Sequence, residues 1–274
     1  EVIVSPIVEA CPGEEKEAAM SLLHSFYCWG CVAVVLLSTL CFKFFGINNW
    51  RWISIGWSLI PIFNIFYFSI VPINTLVDKE KQISTKKLLS SSFFWILILL
   101  MLCSGACEQA MSQWASAFAE SGLKVNKTLG DIAGPCMFSI LMGCSRVFHS
   151  KFGTKYSLTN YLLVCAFLCL FSYLIAVFAP HPAIGLLGCG LCGLSVGAMW
   201  PGSFSLASKT CPNGGTLMFA YLALAGDLGC GAGPSIVGFV SSKFSDSLKH
   251  GLFSAIIFPL TMIFILKMLK KQKQ

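Results

Sequence analysis

Five hydrogen-bonding side chains recur at helical spacing in the middle of this chain: Ser104, Glu108, Gln109, Ser112 and Gln113, with Trp114 directly after them. They continue the apolar run 93–102 with no proline between. At 3.6 residues per turn Ser104, Glu108 and Ser112 stack on one face, and Gln109 and Gln113 lie beside it. A carboxylate inside a membrane-length apolar segment is costly unless it meets a polar cavity or a partner. The stripe therefore predicts the wall of a cavity for something polar, with Glu108 as its one ionisable group.

Few other ionisable side chains fall inside apolar segments: Glu1, His24 and Asp227, with Arg146 at the end of one. Intramembrane acids usually mark a substrate or ion pathway, so Glu108 and Asp227 are expected to act there; the competing role is a hydrogen bond between packed helices. Asp227 sits in Ala225-Gly226-Asp227-Leu228-Gly229, where small residues let a neighbouring helix approach closely. His24 has Cys28 one turn further on and suits an interhelical hydrogen bond as well as it suits a solute contact or a proton relay. Trp29, Trp114 and Trp200 offer flat faces of the kind sugar rings pack on, although tryptophan also gathers at membrane interfaces. Asn64 is a weaker candidate of the same kind as His24.

Other patterns carry less. Cys28-x-x-Cys31 and Cys189-x-x-Cys192 have redox or metal spacing but lie in apolar runs without partner ligands, so they are read as packing and no metal is assigned. Asn126-Lys127-Thr128 fits a glycosylation sequon. Gly193, Gly197, Gly226, Gly229, Gly231 and Gly233 read as close helix contacts. No nucleophile with its base, phosphate loop or catalytic carboxylate pair is evident, so an enzyme is not expected.

The elements that must position these residues are membrane spans. The 274 residues are 56% hydrophobic and only 11% charged, with a mean hydropathy of +0.76, which excludes an ordinary soluble domain. The reading is a half-span at 1–8, spans near 20–45 and 50–71, a basic linker over 72–92, and then six spans near 93–120, 132–147, 159–178, 183–207, 217–241 and 252–269. That division gives a remnant of one helical bundle over 1–71 and a six-helix bundle over 93–274. The opening residues read as the second half of a helix, so the sequence is expected to lack earlier spans.

The charge of +7 is a matter of topology rather than nucleic-acid binding. Assigning alternate loops to one side collects 13 of the 19 basic residues with the linker and the C-terminus, Arg146 among them, which predicts a cytoplasmic C-terminus in a plasma or inner membrane. Ala10-Cys11-Pro12 followed by Trp29-Gly30-Cys31 is echoed by Thr210-Cys211-Pro212 and Leu228-Gly229-Cys230. Related halves of this sort are typical of secondary transporters.

Glu1-x4-Pro6, Leu22-Leu23-His24-Ser25-Phe26 with Gly30, and Glu108-Gln109 after a basic linker together resemble the fucose-permease branch of the major facilitator superfamily. The resemblance covers most of the chain. It implies an all-α membrane protein of the major facilitator fold, with part of the N-terminal bundle (half of span 4, spans 5 and 6) and a complete C-terminal bundle (spans 7 to 12). It also implies a monomeric sugar:proton symporter that alternates access between two bundles. The solute would be bound by His24, Asn64, Glu108, Gln109, Ser112, Gln113, Trp114 and Trp200. Glu1, Glu108 and Asp227 would carry the proton, and Arg146, Lys151, Gly153 and Lys155 would form a degenerate copy of the cytoplasmic gating signature. No cofactor is implied beyond the coupling ion, a proton or alternatively sodium. Partners are a small solute and the lipid bilayer. His24 stands where the fucose permease has a glutamine, and Ser150 where an acid is usual. The remaining alternatives are a facilitator or exporter of another solute and a non-transporting receptor.

Overall fold

The computed structural model describes residues 4–11, 13, 15–72, 83–122, 124 and 126–271. Among them there is no strand, and helices follow one another almost without interruption. Three precede the linker: α1 (Val4–Ala10), α2 (Lys16–Phe45) and α3 (Trp50–Ile70). After the short α4 (Thr85–Leu89), capped by the Ser84 hydroxyl, come α5 (Ser92–Ser112), α6 (Ala115–Ala117), α7 (Lys127–Asp131) and α8 (Met137–Phe152). The remainder is α9 (Leu158–Phe178), α10 (Pro182–Val196), α11 (Met199–Thr210), α12 (Gly215–Lys243), α13 (Leu248–Ser254) and α14 (Ile257–Lys271).

Seven helical segments are long and apolar enough to cross a membrane among the described residues. They match the expected spans except the one near 132–147. That segment is a π-helical stretch at Ile132–Cys136 running into α8, whose second half holds Ser145, Arg146, His149 and Lys151. The sequon residue Asn126 serves α7 directly: its side-chain oxygen accepts from the Leu129 amide at 2.9 Å and caps the helix.

Three spans of the C-terminal bundle are broken rather than continuous. α5 gives way to α6 at Gln113–Trp114, α10 to α11 at Gly197–Ala198, and α13 to α14 at Ala255–Ile256. Breaks at membrane depth leave backbone carbonyls for other groups to satisfy. Two carbonyls matter below, that of Gly197 at one of these breaks and that of Pro234 inside the continuous α12.

Glycines set the closest packing. A Cβ at Gly229 or Gly233 of α12 would strike the backbone of α5 at Leu102 or Ala106, and one at Gly193 would strike the Phe138 carbonyl of α8. Gly231 is the exception among the glycines expected to pack, with nothing within 4 Å of such a Cβ. Phe94, Leu97, Leu100, Phe138, Tyr173, Phe204 and Phe219 fill the core of the six-helix bundle. Against it lies α2, whose buried face carries Glu17, Ser21, His24 and Cys28 and packs on α8. By contrast α3 buries none of its residues.

Candidate functional site

Five helices converge on a cavity of about 410 Å³ at the seam between remnant and bundle. Tyr27 comes from α2, Glu108 and Gln109 from α5, Arg146 from α8, Trp200 from α11, and Asp227 and Cys230 from α12. Of the polar stripe proposed on α5, Glu108 and Gln109 reach this cavity. Ser104 is buried with its hydroxyl unpartnered, while Ser112, Gln113 and Trp114 are not among the lining residues. A straight helix would have carried the stripe on, but the span turns at Gln113–Trp114. There the Trp114 indole N–H donates to the Pro234 carbonyl at 3.0 Å, and the ring packs over Gly238. Trp114 is therefore a joint between α5 and α12 rather than a face offered to the cavity.

Arg146 is the principal correction. It was expected at a cytoplasmic end beside Lys151, Gly153 and Lys155, yet its side chain is 2% exposed. Its guanidinium donates to three groups on three other elements. Nε reaches the Gly197 carbonyl at the α10–α11 break at 2.8 Å, one terminal nitrogen reaches the His24 carbonyl of α2 at 2.7 Å, and the other reaches Glu108 Oε2 at 3.1 Å. The end of α10 carries the negative pole of its helix dipole, which favours a cation there. Buried charges persist only when paired and fully hydrogen-bonded, and this arrangement meets that requirement. A return bond joins the same helices: the Ser21 hydroxyl of α2 donates to the Arg146 carbonyl at 2.8 Å.

The other walls follow. Tyr27 lies beneath the guanidinium, with Arg146 Cζ 5.7 Å from the ring centroid, and its hydroxyl accepts from Gln109 Nε2 at 3.4 Å. Trp200 packs flat on Gly226, where any Cβ would collide with the indole. Its Nε1 is buried without an acceptor. Asp227, the next residue, is exposed and makes no hydrogen bond or ion pair among the described residues. The site thus joins a neutralised ion pair, a free carboxylate, an amide and two aromatic faces.

His24 is buried and does not line the cavity; its ring reaches the Ser5 hydroxyl at 3.2 Å and stacks on Phe204. Asn64 is exposed on α3, apart from the cavity. Glu1 lies outside the described residues. Lys151 is exposed, Lys155 stands over the Phe152 ring at 5.7 Å, and Gly153 is buried against the His149 ring, which any Cβ there would strike.

Sequence reasoning missed a second polar cluster at the linker-side end of the seam. Glu17 of α2 is clasped by Lys209 of α11 and faces His149 of α8 at 3.4 Å. Ser208 donates to Glu9 at 2.6 Å, and Lys16 donates to the Glu9 carbonyl at 2.7 Å. A cavity of about 320 Å³ opens beside them. The signal was the spacing Glu17, Ser21, His24, Cys28, a polar stripe at helical period along an otherwise apolar span.

Seven membrane-length helices among the described residues, with a cavity where α2 meets the helices after the linker, define a polytopic membrane protein. Residues 2–234 match the Major Facilitator Superfamily, and the chain belongs to that family. Two solved structures share its fold. The E. coli fucose:proton symporter FucP superposes with a TM-score of 0.76 at 14% identity, covering 98% of this chain and 72% of that one. FucP in the outward conformation gives 0.74 at 13% identity with the same coverage. No curated protein matches the sequence.

Proposed function

We propose that the protein is a secondary active transporter that moves a sugar or similar small polar solute by alternating access, coupled to protons in symport. The observation that carries this reading is the cavity of about 410 Å³ at the seam, where Tyr27 of α2 meets Glu108, Gln109, Arg146 and Asp227 of the helices after the linker. Its size falls in the range that encloses small ligands. Gln109 and the Tyr27 hydroxyl supply hydrogen bonds suited to hydroxyl groups, and the indole of Trp200 offers an apolar surface to a sugar ring. That the E. coli neighbour FucP is a fucose:proton symporter supports it.

The two acids of the cavity differ as proton carriers. Protonating Glu108 would strand the buried Arg146 guanidinium, whereas Asp227 has no partner to lose. We assign Asp227 as the group that gains and loses the proton, and Glu108 with Arg146 as the fixed wall that orients the solute. Sodium on Asp227 is the alternative coupling. The basic residues gathered with the linker support a cytoplasmic linker and C-terminus.

The test uses the full-length protein in de-energised cells in weak buffer, with single sugars added while external pH is recorded. Alkalinisation abolished by a protonophore is the expected result. Asp227→Asn should lose it while labelled solute still exchanges, and Glu108→Gln should lose both. Absence of both a pH change and labelled uptake for every sugar would reject the reading; sugar uptake without a pH change would reject only the proton. A receptor would tolerate both substitutions.

A further inference from the structure

The linker-side cluster has a chemical peculiarity that the central cavity lacks. His149 is fully buried on the face of α8 that meets α2, and neither ring nitrogen makes a hydrogen bond. Buried polar groups in native proteins almost always find a partner, so an imidazole orphaned at both nitrogens calls for an explanation. One candidate acceptor faces it. Glu17 Oε1 lies 3.4 Å from Nε2, outside hydrogen-bond geometry, and that oxygen too is buried and unbonded. A neutral imidazole in its Nε2–H tautomer can offer Oε1 one neutral bond; an imidazolium facing the carboxylate makes a charge-assisted one, about twice as strong, from the same pair. Imidazole is also the side chain whose ordinary titration range spans neutral pH.

Of the surrounding groups, Lys209 opposes the added charge and the acids of the adjoining cavity favour it. Lys209 from α11 clasps the other oxygen of Glu17, Tyr161 of α9 packs its ring 4.6 Å from the imidazole, and Gly153 closes the remaining side. On its own helix, Arg146 is already committed to Glu108 and Lys151 is exposed; Lys155, in the turn that follows, is exposed too. Among the described residues the adjoining cavity is lined by Glu9, Glu15 and Glu17 against Lys16 and Lys209, one negative charge in excess. A single imidazolium cancels it.

We propose that His149 and Glu17 form a proton-binding site at the linker-side seam, separate from the central cavity, and that its occupancy holds α2 against α8. Glu17 belongs to the N-terminal remnant and His149 to the six-helix bundle, so the proton is bound between the two bodies and only while they touch. Acid on the linker side then favours the closed seam, and release of the proton loosens it. This site stands whether or not the central cavity carries a solute.

The test is hydrogen–deuterium exchange on the full-length protein in nanodiscs, corrected for intrinsic exchange and read on peptides covering residues 16–28. In the wild type these amides should exchange up to about tenfold more slowly for each unit of pH lowered across the imidazole range, the limit for one linked proton. His149→Gln, which fills the space without titrating there, should remove that dependence, as should Glu17→Gln, which folds with its amide beside Lys209. Lys209→Gln leaves His149 as the sole cation and should steepen it. A flat wild-type profile, or the same slope in folded His149→Gln and Glu17→Gln, would overturn the proposal. No solute enters the measurement, so failure of sugar uptake would reject the transport reading and leave this one untouched.

Discussion

Two buried carboxylates anchor the seam, and they are held in opposite ways. Glu108 faces Arg146, a fixed charge whose guanidinium is pinned by the Gly197 and His24 carbonyls. Glu17 faces Lys209, whose side chain is 57% exposed, and a histidine able to take or give up its charge. One pair is buried on both sides. The other sits where solution conditions reach it. The difference teaches that burial alone does not define an acid's role; the chemistry of its partner decides whether it is a permanent fixture or an adjustable contact.

That contrast can be broken most sharply at Arg146. Arg146→Met should destabilise the protein by about 3–5 kcal/mol, the usual cost of leaving a buried charge without its partner. Adding Glu108→Gln should recover a sizeable part, because the stranded carboxylate is removed; thermal unfolding of the two single variants and the double variant measures this coupling. If the double variant is no better than Arg146→Met, the bonds to backbone carbonyls carry the stability instead. Glu17→Gln should cost less, about 1–3 kcal/mol, since an amide still accepts from Lys209 and water reaches the lysine.

A third ion pair outside the spans sets the lower end of the scale. Lys127 lies 3.4 Å from both Glu120 and Asp131 and is 60% exposed. Partial burial lowers its pKa, but Asp131 and Glu120 outweigh that and hold it above the ordinary value of 10.5. Its contribution is therefore complete below that value and disappears as pH rises through the elevated one. Because solvent screens it, Lys127→Gln should cost about 0–1 kcal/mol and less in high salt. Unfolding curves near neutral pH with and without added salt check this.

The sequence made the membrane spans and Glu108, Gln109, Asp227 and Trp200 legible, because an ionisable or amide group inside an apolar run stands out locally. Arg146 was placed at the wrong depth for the same reason. It shares a short stretch with His149, Lys151 and Lys155, and composition reads such a stretch as a solvated end. The helical period would have separated them, since Gly143, Arg146 and His149 recur on the face that meets α2. Gln113 and Trp114 failed for a different cause: the turn after α5 depends on a carbonyl at Pro234, 120 residues away, and no local pattern announces it. The placement of Asn64 on an exposed α3 was likewise beyond the reach of spacing.

One bond described above also bears on how this protein can diversify. Arg146 holds α2 through the main-chain oxygen of residue 24 and holds the α10 break through that of residue 197. Main-chain atoms survive every substitution that keeps the helix. Position 24 can therefore exchange its imidazole for another polar side chain, altering the hydrogen bond to Ser5, without surrendering the contact that joins the two bodies. Mutational drift at the seam is decoupled from its mechanical integrity, and new polar preferences can be sampled there without dismantling the joint.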